Sequence, residues 1–147
     1  MLQNRIDFEE LKTLDLFAGT GSISYELASR GVTDITVVEK DNKMFDFIKK
    51  TAADLKMENF KVIKWDVFRF IEQCNETFDF IFAGPPYALQ TIDELPKKIF
   101  EKNLLNKDGL FVLEHTPRNH YQNFKFFEAA RNYGTTIFSI FINKTKE

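Results

Sequence analysis

The chain has 147 residues, 44% of them hydrophobic and 17 of them Phe, a length and make-up that fit one domain with an aromatic core. Twenty basic against twenty-two acidic side chains leave a formal net charge of −2, which excludes a strongly cationic surface built to grip a polyanion. The single Cys74 excludes an internal disulfide, and no stretch has the make-up of a signal peptide or the length of an apolar membrane span, so a cytoplasmic protein is expected.

Apolar runs of strand length alternate with amphipathic stretches, the pattern of a mostly parallel sheet covered by helices on both faces. After a polar start over Met1–Leu11, strands are predicted at Lys12–Phe17, Asp34–Glu39, Phe60–Trp65, Phe78–Ala83, Gly109–His115, Lys125–Arg131 and Thr135–Ile142. Helices are predicted at Ser22–Ser29, Asn42–Leu55 and Val67–Cys74, with a fourth ending near Asn103. Asp41 and Asp66 stand where N-caps belong. Thr91-Ile92-Asp93-Glu94 has capping-box spacing, while Pro96 favours a start near Leu95 instead. Only Asn132-Tyr133-Gly134 separates the last two strands, so they pair antiparallel through a short hairpin. The order resembles the seven-stranded Class I methyltransferase fold, Rossmann-like α/β with a mostly parallel sheet and a C-terminal antiparallel hairpin. No linker, repeat or low-complexity segment divides residues 1–147, and a single domain is expected.

Chemistry is expected at the carboxyl ends of the strands, where open α/β sheets bind ligands. The first strand runs through Leu14-Asp15-Leu16-Phe17-Ala18-Gly19-Thr20-Gly21-Ser22 into a helix, an arrangement that lets backbone approach a ligand and presents amide donors at a helix start. The third glycine of a dinucleotide loop is Ser24 here, and the Walker lysine is missing. Asp15 repels phosphate and favours an ammonium group, so the pattern points to a ligand with an amino acid zwitterion, such as S-adenosylmethionine. The alternative is a structural turn whose glycines permit close packing. Glu39, ending the second strand, suits the two hydroxyls of a ribose. Asp66 suits the exocyclic amine of adenine, beside the amide and apolar flank of Val67; its alternative is a helix cap alone.

The fourth strand runs into Gly84-Pro85-Pro86-Tyr87. Two prolines fix φ and remove two donors, leaving carbonyl oxygens rigidly aimed, and the aromatic ring completes a slot for a flat base whose amino group needs an acceptor. A base in that slot has left its helix stack. His115 and His120 read as structural, Cys74 as a helix-end core residue, and Lys49-Lys50 and Lys97-Lys98 as solvated helix faces. No His, Cys and Asp cluster has metal-ligand spacing, so no metal is expected.

These motifs resemble the RsmD family of bacterial methyltransferases, which act on the exocyclic N2 of a guanine in 16S ribosomal RNA. The likeness rests on the Leu14–Ser22 loop, Val38-Glu39-Lys40-Asp41, Phe78–Phe82 with Pro85-Pro86-Tyr87, Leu113-Glu114-His115 and the Tyr133-Gly134 hairpin, and spans essentially the whole chain. It implies S-adenosylmethionine bound by Asp15, Phe17, Ala18, Gly19, Thr20, Gly21, Glu39, Lys40, Asp66 and Val67. It implies catalysis at Gly84, Pro85, Pro86 and Tyr87. The implied partner is 16S ribosomal RNA or the assembling small subunit, met by a monomer without membrane or metal.

Two positions depart from the family. Its loop reads Asp-Pro-Pro-Tyr, and Gly84 stands where the aspartate would orient the amine. Its members also carry a basic, glycine-containing segment ahead of the cofactor strand, so a truncated or incomplete sequence is expected. Methylation of adenine N6 or a glutamine amide presents the same planar amine to the loop, and a cofactor-binding module without turnover is the rival from another class.

Overall fold

Strand propensity and the alternation of burial build the sheet first. In this computed structural model, which describes residues 8–19 and 21–144, the first strand β1 (Lys12–Leu16) buries Leu14 and Leu16 on one face and Thr13 and Asp15 on the other. Thr20, expected in the cofactor loop, lies outside the described residues, as does the start of the Met1–Leu11 stretch. The other elements in chain order are α1 (Ser22–Ser29), β2 (Asp34–Val38), α2 (Asn42–Asp54), β3 (Phe60–Ile63), α3 (Val67–Gln73), β4 (Phe78–Ala83), α4 (Glu94–Glu101), β5 (Leu105–His115), β6 (Phe127–Tyr133) and β7 (Thr136–Ile142). The seven strands form one sheet in the order β3-β2-β1-β4-β5-β7-β6. The first five are parallel, and β7 enters antiparallel between β5 and β6. This is the predicted Rossmann-like methyltransferase architecture with its C-terminal antiparallel hairpin.

Two apolar clusters sandwich the sheet. Leu27 of α1 and Ile48 of α2 pack with Ile35, Val37, Phe80 and Phe82 on one face. Val67, Phe70 and Ile71 of α3 and Leu95 and Ile99 of α4 pack with Leu14, Leu16, Phe111 and Phe141 on the other. The Phe141 ring lies 5.4 Å from Phe111, 6.0 Å from Tyr121 and Phe127, and 6.3 Å from Phe100 and Phe124, so one residue of β7 ties two strands, a helix and the long loop before β6 together.

Helix caps follow the sequence at two sites and depart from it at a third. Asp41 accepts from the Met44 amide and Asp66 from the Arg69 amide, as N-caps should. The Thr91–Glu94 capping box does not form: α4 begins at Glu94, and the Asp93 carboxylate accepts the buried Tyr121 hydroxyl at 2.8 Å instead of an amide of its own helix. Strand β5 begins at Leu105 rather than Gly109, because side chains from elsewhere hold its polar start. Asn143 donates to the carbonyls of Leu105 and Asn106, and Asn106 donates to Asp79. Strand β6 runs two residues later than its pattern suggests, and it carries an irregularity between Phe127 and Ala129.

Candidate active site

The strand order reverses between β1 and β4, and the loops that follow these two strands meet there. Leu16 pairs with Ala83, and the Gly84 amide donates to the Leu16 carbonyl at 3.3 Å, so the glycine loop and the Gly84–Tyr87 loop leave the sheet side by side. A cavity of about 700 Å³ opens at this point, lined by Phe17, Glu39, Lys40, Asp41, Asn42, Asp66, Val67, Phe68, Pro86, Leu89 and Thr91. Five residues expected to hold the cofactor, Phe17, Glu39, Lys40, Asp66 and Val67, therefore line one cavity with the predicted catalytic residue Pro86.

The glycine loop is locked from inside the chain. Phe17, Gly19 and Gly21 all take left-handed backbone conformations, with φ of 58°, 59° and 85°. A Cβ on Gly19 would enter open space, whereas one on Gly21 would stand 2.9 Å from the Tyr25 ring, so the first glycine keeps the loop approachable and the second permits packing. The Gly19 amide donates to Glu39 Oε1 at 2.8 Å and the Gly21 amide to the Ala18 carbonyl at 2.8 Å. Those two amides are thus engaged within the chain, the first because the Glu39 carboxylate just past β2 reaches back over the loop that follows β1. The Ala18 amide likewise donates to the Val38 carbonyl.

Glu39 is held at both oxygens, since Oε2 accepts the Asp41 amide at 2.9 Å. Asp66 uses Oδ2 for its cap, and Val67, at the start of α3, is buried beside it. The Phe17 and Phe68 rings meet edge to face at 6.4 Å, giving the cavity an apolar side.

Asp15 lies elsewhere. It is 2% exposed and sits under the loop, where Oδ2 accepts the Ser24 hydroxyl at 2.7 Å. Strand alternation turns its side chain toward α1 rather than the cavity. Burial pushes its carboxyl up to about 7, the bond from Ser24 opposes that rise, and the neighbouring Glu39 charge adds to it.

In the second loop Pro85 is buried while Tyr87 stands exposed. The Pro86 carbonyl accepts the Leu89 amide at 3.0 Å, closing a turn, so only part of the expected row of free carbonyls remains for a ligand. The Tyr87 hydroxyl donates to Glu114 Oε2 at 3.2 Å and lies 3.4 Å from Thr136 Oγ1. His115 is structural, as its sequence position suggests. Its Nδ1 donates to the Thr116 carbonyl at 2.8 Å and its Nε2 accepts the Ser139 hydroxyl at 2.7 Å, with burial pushing its pKa down. Cys74 caps α3, half-buried, its thiol pushed up by burial. Among the described residues no three His, Cys, Asp or Glu side chains converge as a metal site, and no helix is long and apolar enough to cross a membrane.

Sequence reasoning missed Phe68, Leu89, Thr91, Asp41 and Asn42 as cavity residues. Asp41 and Asn42 directly follow Glu39-Lys40, and Phe68 follows Asp66-Val67, so adjacency to the two carboxylates was the available signal.

The family described as conserved hypothetical protein 95 matches residues 1–142. The chain belongs to it. Within this family and its kin, the ribosomal RNA small subunit methyltransferase D of Buchnera aphidicola is 28% identical over 116 residues, 77% of this chain and 59% of that protein. YlbH of Bacillus subtilis is 34% identical over 112 residues, 74% of this chain and 61% of that protein. The chain thus spans less than two thirds of the length of these relatives. A Streptococcus pyogenes structure, described as a conserved hypothetical protein, superposes with a TM-score of 0.83 at 30% identity, covering 91% of this chain and 86% of that one. The RsmD likeness read from the motifs and the methyltransferase fold are both borne out.

Proposed function

We propose that this domain transfers a methyl group from S-adenosylmethionine to the exocyclic N2 amine of a guanine in small-subunit ribosomal RNA. One observation carries the reading: Pro86 and Leu89 of the second loop line the same cavity as Glu39 and Asp66. A donor site and an acceptor loop thus meet at the switch point. The name of the Buchnera relative supports the same substrate class.

The residues present fit the cofactor. A carboxylate has about four acceptor positions, and the two amides on Glu39 occupy one on each oxygen, leaving a fixed side chain that accepts a ribose diol. Asp66 has Oδ1 for the adenine amine while Oδ2 caps α3. Phe17 and Phe68 offer the apolar flank, with Ala18, Gly19, Gly21, Lys40 and Val67 as the surrounding backbone. Asp15 serves from below, by holding Ser24 and the start of α1.

S-adenosylmethionine supplies a methyl group made electrophilic by its sulfonium. The chain contributes position: a flipped base lies along Tyr87, and the carbonyls of Gly84 and Pro85 accept hydrogen bonds from the reacting amine. Displacement at a sulfonium needs no metal, and we assign the activity to a monomer in the cytoplasm. Mass mapping of methylated bases in ribosomal RNA, with and without the intact gene, tests the proposal. Loss of one N2-methylguanine in the small-subunit RNA supports it. Loss of an N6-methyladenine instead, or an unchanged map, overturns it.

A further inference from the structure

Gly84 leaves the predicted acceptor loop without a side chain at its first position, and the space beside it is already taken. A Cβ built there would stand 3.2 Å from Cε2 of Phe82 and 3.3 Å from Oε1 of Glu114. The cause is register. Strands β4 and β5 run parallel with Ala83 opposite Leu113, so the next step along the pair brings Glu114 level with Gly84. Glu114 is half-buried and its second oxygen accepts the Tyr87 hydroxyl at 3.2 Å. One carboxylate therefore stands where a side chain at the first residue of Gly84-Pro85-Pro86-Tyr87 would go and bonds the last. Among the described residues it forms no ion pair.

We propose that Glu114 is the acceptor-side catalytic carboxylate of this chain, reaching from β5 into the place that an aspartate at position 84 would fill. The proposal rests on the methyl-transfer reading above. Glu114 Oε1 accepts one of the two hydrogens of the exocyclic amine, leaving the other to a loop carbonyl, and the Tyr87 hydroxyl on Oε2 fixes the carboxylate's rotation. The nitrogen lone pair is thereby turned toward the methyl carbon. As the nitrogen–carbon bond forms, the sulfur–carbon bond breaks and its electron pair returns to sulfur. The surplus proton on nitrogen passes to Glu114 and from there to water, which restores the carboxylate. Thr136, 3.4 Å from the Tyr87 hydroxyl, is a positioning residue in this scheme.

Glycine at 84 follows from the same geometry. An aspartate there would set a second carboxylate against Glu114, and two like charges at contact distance cannot both stay ionised cheaply. The two positions are therefore alternatives, and exchange between them is the sharpest test.

Single-turnover transfer of labelled methyl to small-subunit ribosomal RNA is measured with the full protein, beside titration with S-adenosylhomocysteine and a thermal melt of each variant. Glu114→Gln and Glu114→Ala should each lower the transfer rate by about 10²–10³-fold, the usual loss for one preorganised group aimed at developing charge. Affinity for S-adenosylhomocysteine should stay within twofold. Gly84→Asp alone should fall below the parent, whereas Gly84→Asp combined with Glu114→Ala should recover at least tenfold over Glu114→Ala. Full transfer by Glu114→Gln overturns the proposal while leaving the methyl-transfer reading intact. So does a Glu114→Ala loss that no carboxylate at 84 rescues, or one that tracks cofactor affinity or melting temperature. A parent protein that binds S-adenosylhomocysteine yet transfers to no RNA overturns both.

Discussion

Replacing Asp15 with Asn should remove most of a pH dependence that the native fold carries between acid and neutral pH. The Asp15 carboxyl is pushed up to about 7 from an ordinary 3.8, first by burial and then by the Glu39 charge, against the hydrogen bond from Ser24. An acid whose folded pKa lies above its unfolded one is proton-hungry in the folded state. Its stabilising contribution is complete below pH 4 and is lost as pH rises toward 7. Between those two values each tenfold fall in proton concentration costs about 1.4 kcal/mol, so the parent should lose on the order of 3 kcal/mol between pH 5 and pH 8 through this group. Asparagine has nearly the same shape, accepts the Ser24 hydroxyl through its own oxygen, and stays neutral throughout. Urea unfolding of parent and Asp15→Asn at pH 5 and pH 8 measures the difference, with the slope against denaturant checked for constancy. The gap between the two proteins should shift by roughly that amount in favour of Asn at the higher pH. A gap that stays constant to within about 0.5 kcal/mol, the usual scatter of additive substitutions, would refute the reasoning and place the titration of Asp15 outside this range.

Glu39→Ala should weaken S-adenosylhomocysteine binding by about 1–3 kcal/mol in calorimetry, since hydrogen bonds to a charged group are lost along with the grip on the Gly19 and Asp41 amides; unchanged affinity removes Glu39 from the site. Phe141→Ala should cost about 3–5 kcal/mol in denaturant unfolding, the range for deleting a buried aromatic ring, here one surrounded by five others. Gly21→Ala should cost at least about 1–2 kcal/mol, the penalty for a left-handed non-glycine residue, and more if the Tyr25 ring cannot shift from the new methyl; a melt equal to the parent's would show that the loop re-forms without its left-handed turn.

Local chemistry was readable from the sequence wherever a residue acts on its own neighbours. Asp41 and Asp66 each cap a helix through the amide three residues on, and the Tyr133-Gly134 hairpin closes over a two-residue turn with Tyr133 opposite Thr136. The reading stopped where the deciding partner is distant in the chain. The Thr91–Glu94 capping box gives way to a helix that starts behind Asp93, whose carboxylate accepts from Tyr121, 28 residues on, in place of a local amide. The polar run Asn106-Lys107-Asp108 reads as a loop, yet Asn143 and Asp79 hold its start in the sheet. Asp15 reads as a pocket carboxylate until strand alternation turns it toward α1. Glu114 is visible in the Leu113-Glu114-His115 motif, but its meeting with Gly84 depends on the pairing of β4 with β5, and no local pattern encodes that register.

The insertion of β7 between β5 and β6 has a consequence for the order in which the protein is completed. Among the described strands β7 follows β6 in the chain yet lies inside the sheet, so until it arrives β5 presents an open edge of amides and carbonyls, the kind of template on which chains stick together. A hairpin of β6 and β7 can form by itself as it emerges and then dock as a unit. That docking also delivers Thr136 to Tyr87 and sets Phe138 across from Glu114. The surroundings of Tyr87 and Glu114 are therefore completed by the same event that seals the sheet, so a nascent chain acquires this local geometry only as its open edge is covered.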